Sequence, residues 1–307
     1  MNSTRRTLLG FLMASAALPA LGQTTAPGQP FSHTWLKAEM QARAEAPYQP
    51  PALLEGFLQN LDYDDYRLIR FRRSHARWSE TPLNFHVLAF HPGWLYKEPV
   101  MIHEVENGAA RPMAFTTEDF EYLNELAARV PTEATLPGIA GLKINNPLNR
   151  ADVFDELITF VGASYFRALG RENSYGLSAR GIAINTWLDG PEEFPRFSEF
   201  WLERPAEGGT HLILHAALEG PSLTGAYRFT ITPGADTTVE VEATLFFRES
   251  VEQLGLAPLT SMFYFAEHSE RRFNDYRPQV HDSDALKIIR RDGDILFRPL
   301  GNPPRVS

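Results

Sequence analysis

The sequence predicts an all-β fold, a large antiparallel β-sandwich with a few short helices. Three observations carry that prediction. Across residues 237–247 the side chains alternate. Val239, Val241, Ala243, Leu245 and Phe247 fall on one side, and Thr238, Glu240, Glu242 and Thr244 on the other, the period of two that a half-buried strand shows. The runs 212–218 and 225–231 are short, apolar and separated by Gly220-Pro221-Ser222, and Pro233-Gly234 precedes the alternating run, which is turn punctuation between serial strands. The spacing favours stacked antiparallel sheets over βαβ units.

The elements follow in chain order. Arg5-Arg6 stands directly before an apolar stretch that runs to Ala20, and Ala20-Leu21-Gly22 supplies small residues. A basic head, an apolar run too short to span a bilayer comfortably and a small-residue exit define residues 1–22 as a signal peptide. The paired arginines point to the twin-Arg route for folded cargo. The layout also fits a Sec signal or an N-terminal anchor. Residues 23–47 read as a linker followed by an N-terminal helix over 34–46, with Trp35, Leu36 and Met40 at helical spacing and Pro50-Pro51 as the stop. Residues 53–61 predict a second short helix, and short apolar runs at 85–90 and 101–105 predict strands. Residues 119–128 read as an isolated helix, and 152–162 as an apolar segment of either type. From 48 to 302 the chain reads as one β-sandwich domain.

Composition excludes several function classes. The 307 residues are 43% hydrophobic and 22% charged, with a formal net charge of −9, so a buried core forms and no basic stripe exists to grip phosphates. Nucleic acid is excluded as a partner, and a neutral ligand such as a sugar suits the acidic surface. The chain has no cysteine, which removes disulfides, thiolate catalysis and Cys-ligated zinc. No cofactor fingerprint or nucleophile elbow is present. His211 and His215 have helical metal-ligand spacing, but the residues between them read as strand, which would separate the pair by roughly 13 Å. No metal site is expected. The Asp62-Tyr63-Asp64-Asp65 cluster lacks the glycine and glutamate of a calcium loop and reads as a solvated turn.

Two stretches concentrate chemistry. Residues 276–284 hold Tyr276, Arg277, His281, Asp282 and Asp284. On a strand the two aspartates would face one side, and a carboxylate pair is what glycoside cleavage uses, one as acid and one as base. The same residues fit an Asx turn, with the aspartates on backbone amides, and local sequence favours that turn. Residues 192–205 alternate aromatic and charged side chains. These would either stack and hydrogen-bond a sugar or form a well-packed strand with its own ion pairs.

The blocks Val161-Gly162-Ala163-Ser164-Tyr165-Phe166-Arg167-Ala168-Leu169-Gly170, Tyr175-Gly176-Leu177-Ser178-Ala179-Arg180-Gly181, Phe200-Trp201-Leu202-Glu203-Arg204-Pro205, Ala257-Pro258-Leu259-Thr260-Ser261-Met262-Phe263 and Tyr276-Arg277-Pro278 through Asp284 closely resemble the glucans biosynthesis protein G/D family (MdoG, also OpgG and OpgD). The resemblance runs from about Tyr48 to Asn302, and the signal is more like that of the D branch. It implies a galactose-mutarotase-like sandwich joined to a C-terminal immunoglobulin-like domain, a periplasmic location, and a β-1,2-glucan partner cut by an inverting endo-β-1,2-glucanase. By position it implies Asp282 as general base. Tyr175, Arg180, Trp201, Glu203, Arg204, Tyr276, Arg277, His281 and Asp284 are the expected substrate-binding residues. The resemblance further implies export through the signal peptide and is compatible with a homodimer. The family's proposed general acid and the immunoglobulin-like domain are expected beyond Leu300, outside this chain. A non-catalytic glucan-binding domain and a truncated remnant are therefore the alternatives to an active hydrolase.

Overall fold

The computed structural model describes residues 28–269 and 274–302. The signal peptide expected at 1–22 lies outside the described residues. Two large sheets dominate. The first has seven strands in the order Gln29–Pro30, Ala109–Pro112, Met101–Glu106, Arg196–Glu203, Leu212–Glu219, Leu223–Thr232 and Thr238–Phe247. Its neighbours are antiparallel except for Met101–Glu106 beside Arg196–Glu203, which run parallel with Trp201 opposite His103. The second has six antiparallel strands in the order Leu259–Thr260, Ser178–Arg180, Tyr165–Ala168, Val153–Val161, Gly141–Arg150 and His86–Phe90.

The sheets stack face to face through aromatic rings. Phe160 of the six-stranded sheet lies 6.2, 5.3 and 5.1 Å from the rings of Phe197, Phe200 and Phe229 of the other. Leu142, Ile144 and Ile158 are buried with them. These edge-on contacts add to the gain from removing apolar area from water. Gly141 sits where a Cβ would approach the Phe160 carbonyl oxygen to 2.2 Å, so only glycine allows the two strands to pair at that depth. The expected all-β sandwich is thus the observed architecture.

Helix α1, His33–Glu45, covers the outer face of the seven-stranded sheet. Ser32 caps it by accepting a bond from the Trp35 amide at 3.1 Å. Leu36 and Met40 pack on Ala217, Ala226 and Trp201, where small alanines let the helix approach the sheet closely. The Thr224 hydroxyl donates to the Met40 carbonyl at 2.6 Å. The helix ends at Glu45, before Pro47 rather than at Pro50, because a residue that precedes proline is pushed out of the helical region.

Several expectations change in the structure. Residues 119–128 do not form one helix. Thr117–Asp119 is a 3₁₀ turn, Phe120–Tyr122 is a strand paired with Ile69–Phe71, and Asn124–Ala128 is a second 3₁₀ turn. Phe120 drives this by packing edge-on against Phe71 at 5.2 Å, and Asn124 takes a φ of 55° that no α-helix tolerates. The short helix expected at 53–61 is the 3₁₀ turn Gly56–Asn60. Residues 152–162 resolve as the strand Val153–Val161. The Asp62 to Asp65 cluster is not a solvated turn. It opens helix α2, Tyr63–Arg67, as a capping box, and the buried Asp65 takes a two-pronged bond from Arg129 at 2.6 and 2.9 Å. That bond holds the Asp65 carboxyl below its usual range. The alternating run is the strand Thr238–Phe247, but it is the sheet edge and Val241 is 47% exposed.

Candidate functional site: an open face of the six-stranded sheet

Tyr165 and Arg167, two residues apart on one strand, project to the same side, away from the core that holds Phe166. Arg180 pairs opposite Tyr165 on the next strand. Its guanidinium lies 4.8 Å over the Tyr165 ring and 5.4 Å over the Phe194 ring, and it forms an ion pair with Glu192. Glu192 also accepts from the Thr186 hydroxyl at 2.9 Å. The outcome is a cation clamped between two aromatics and one carboxylate.

A cavity of about 510 Å³ opens beside this cluster at the end of the sandwich. Tyr96, Glu98, Tyr165, Phe194 and Arg196 are in its wall, with Phe197 and Phe200 among the core residues at its floor. Arg196 bonds Glu98 at 2.9 Å and the Pro99 carbonyl at 2.6 Å. Aromatic walls with a few fixed charges and a volume of several hundred Å³ are the usual makings of a small-molecule site.

A second polar cluster continues along the same face. Glu156 accepts from the Thr159 hydroxyl at 2.8 Å and from the Tyr175 hydroxyl at 3.1 Å, with Lys143 at 3.7 Å and Arg167 at 4.0 Å. Arg167 covers one face of the Tyr175 ring at 3.8 Å, while the residue remains 57% exposed. Burial and the nearby Glu156 carboxylate raise the Tyr175 phenol above its ordinary value, so the hydroxyl stays a proton donor at neutral pH.

The ten residues expected at the site fall in three places. Tyr175 and Arg180 stand on this face. Trp201 and Glu203 belong to the other sheet, and Arg204 directly follows their strand. Trp201 is sandwiched between the Phe31 and His103 rings, at interplanar angles of 16° and 11°, so both faces that could stack a sugar are covered. Glu203 bonds the buried His215 at 2.8 Å, and Arg204 bonds Glu104 at 2.7 Å. His215 also meets His33 at 3.2 Å, while burial and the neighbouring His215 keep the His33 imidazole below its usual pKa.

Tyr276, Arg277, His281, Asp282 and Asp284 lie near the C-terminal end. Tyr276 is 95% exposed, and Arg277 is paired with Asp275 at 2.6 Å. His281 Nε2 is 3.1 Å from Gln279 and 3.3 Å from Asp284. The two aspartates do not share a strand face. They occupy the bends between the strands Val280–His281 and Ala285–Ile289. Asp282 forms a reciprocal pair with Met262: its amide donates to the Met262 carbonyl at 2.8 Å, and its carboxylate accepts from the Met262 amide at 3.1 Å. Met262 follows two residues after Thr260 of the six-stranded sheet, which pairs with Ser178. Met262 lies within about 7 Å of chain from Thr260, so its two bonds tether Asp282 near the edge of the sheet that carries Arg180.

Sequence reasoning did not single out Glu156, Arg167 and Tyr165 as site residues, whereas Glu192 opens the 192–205 stretch that it did mark. Tyr165 and Arg167 at i and i+2 were the available signal, since on a strand they must share a face. Glu156 carried none, because nothing local reveals that Lys143, Arg167 and Tyr175 converge on it.

Fold and site together define a two-sheet β-sandwich protein with a charged, aromatic-bearing sheet face and an aromatic-lined cavity beside it. The family model "Periplasmic glucan biosynthesis protein, MdoG" matches residues 31–307. The chain is 56% identical over 294 residues to the glucans biosynthesis protein G of Cereibacter sphaeroides, covering 96% of this chain and 54% of that one. It is 44% identical to the protein G of Ralstonia nicotianae, covering 98% and 58%, and 40% identical to the glucans biosynthesis protein D of Xylella fastidiosa, covering 94% and 52%. The chain belongs to the periplasmic glucan biosynthesis family, and it spans between half and three-fifths of the length of these relatives. Membership of a family described as periplasmic implies that location. Among the described residues no helix is long and apolar enough to cross a membrane.

Proposed function

We propose that the chain binds the β-1,2-linked glucose backbone of periplasmic glucans along the open face of the six-stranded sheet, and that Asp282 is the general base of an inverting endo-β-1,2-glucanase. The observation that supports this most directly is the Arg180 clamp. Tyr165 and Phe194 offer apolar ring surface to a pyranose, while Arg180 and Glu192 offer a donor and an acceptor to its hydroxyls. An exposed carboxylate is tethered at the neighbouring edge. In such a reaction Asp282 would draw a proton from water as the water attacks the anomeric carbon, while a separate carboxylic acid protonates the leaving oxygen. The Met262 amide would hold the carboxylate in place.

Calorimetry with linear β-1,2-glucan, run alongside a reducing-end assay on the full chain, tests the reading. Arg180→Ala should weaken binding at least tenfold. Asp282→Asn should leave binding intact and lower turnover by about two to four orders of magnitude. Unchanged turnover in Asp282→Asn would remove the base assignment. Binding with no turnover in the parent chain would favour a second reading, a non-catalytic glucan-binding domain. The occupied state of Asp282, with one oxygen on the Met262 amide, supports that second reading.

A further inference from the structure

A larger cavity lies on the opposite side of the molecule, beside α1. Its volume is about 650 Å³, and Trp35, Glu39, Arg43, His103, Arg111 and Glu199 are among the residues lining it. None of these belongs to the face described above. Arg43 bridges Glu39 at 2.8 Å, Glu199 at 3.0 Å and Glu219 at 3.0 Å, so its charge is already neutralised.

Two buried polar atoms in the lining have no hydrogen-bond partner among the described residues, His103 Nε2 and Arg111 Nε. Glu199 approaches His103 only to 3.6 Å, and Glu106 reaches the other end of the Arg111 guanidinium at 3.7 Å. Leaving such groups unpaired in a buried place costs free energy, which a ligand bearing the right groups would recover. Trp35, 41% exposed, contacts Phe31 and Trp201 edge-on at 5.7 and 6.0 Å. Unlike Trp201, it is not sandwiched between parallel rings.

The required ligand can be read from these groups. Arg111 Nε only donates. His103 Nε2 donates or accepts according to its tautomer. A hydroxyl satisfies both, since it accepts from one and plays either role toward the other. The two acidic and two guanidinium side chains in the lining balance, so a charged ligand would bring an uncompensated charge. The exposed indole calls for an apolar flat face on the same molecule.

We propose that this cavity is a second, independent binding site for an uncharged pyranose, the ring stacking on Trp35 with its hydroxyls on Arg111 and His103. The site extends the glucan reading by giving the chain two contacts with sugar on opposite sheets, but its own residues do not depend on the first.

Calorimetry of the full chain with sophorose, the β-1,2-linked glucose disaccharide, tests it, with Trp35→Ala and Arg180→Ala alongside the parent. The expected result is two sites in the parent and one in each variant. Arg111→Gln, which removes the guanidinium and leaves the Trp35 packing alone, should weaken the same site that Trp35→Ala removes, by about tenfold. A single site that Trp35→Ala leaves unchanged overturns this proposal and preserves the first face. A single site lost in Trp35→Ala and kept in Arg180→Ala supports this proposal and overturns the first. No binding by the parent overturns both.

Discussion

The strand Leu223–Thr232 and the hairpin of Ala285–Ile289 with Ile295–Pro299 are made of similar residues and end differently. Both pair in unbroken antiparallel register. In the first, Leu223, Ala226, Tyr227, Phe229 and Ile231 are all buried. In the second, Ile289 is 67% and Phe297 62% exposed. The backbone bonds are equivalent, so pairing is not what buries a side chain. Leu223–Thr232 has a sheet facing one side and α1 on the other. A hairpin without such a second layer is marginal in water, and its apolar residues form the kind of patch that marks a contact surface.

The comparison breaks most easily by matched truncation. Phe229→Ala should cost about 3–5 kcal/mol, since it leaves a hole beside Phe160, Phe166 and Phe197. Phe297→Ala should change stability by less than about 0.5 kcal/mol. Urea unfolding of both variants measures the difference, and equal losses would mean that the hairpin is as well covered as the core.

Acid sharpens the buried side of the comparison. His91 is buried against Phe120 and Tyr122, and burial lowers its pKa to about 4. An unfolded imidazole takes a proton near pH 6.5. Above that pH neither state is charged and the native state keeps its full stability. As pH falls from 6.5 to 4 the unfolded state gains a proton that the folded state refuses, and about 3 kcal/mol is lost. Urea midpoints from pH 7 to 4.5 should show this slope, and His91→Phe should flatten it.

A smaller effect comes from the Tyr227 hydroxyl, which donates to the Gly181 carbonyl at 2.9 Å. Tyr227→Phe should cost about 1 kcal/mol by thermal melt. The smallest concerns the hairpin alone. Ile289→Lys should leave the melting temperature within a degree or two, yet reduce self-association in sedimentation, because a charge on exposed apolar strands discourages edge contacts.

The second half of the fold was legible because its strands are consecutive neighbours, each bounded by Gly or Pro. Residues 119–128 were not, because the choice between helix and strand there was made by Phe71, far upstream. The edge strand Thr238–Phe247 shows a related limit: alternation announces a strand but not whether anything stands opposite. At the site, Arg180 and Tyr175 were recognisable by resemblance. Trp201 was expected as a platform, and its closure by Phe31 and His103 is a tertiary fact that no local pattern encodes. Asp282 is exposed, and its carboxylate bonds the amide of Met262, a partner distant in the chain that no local turn pattern announces.

The parallel pairing of Met101–Glu106 with Arg196–Glu203 has a consequence for synthesis. Four of the six strands of the second sheet lie between those two strands in the chain. The first sheet therefore cannot close until most of the second has emerged. Helix α1 waits longer still, since Met40 meets a threonine 184 residues downstream, and a 13-residue helix barely holds its shape alone in water. A nascent chain must therefore carry this helix unsheltered until Thr224 has been made. Strand pairing over such long sequence separations is slow, which gives whatever escorts the growing polypeptide time to act on that helix.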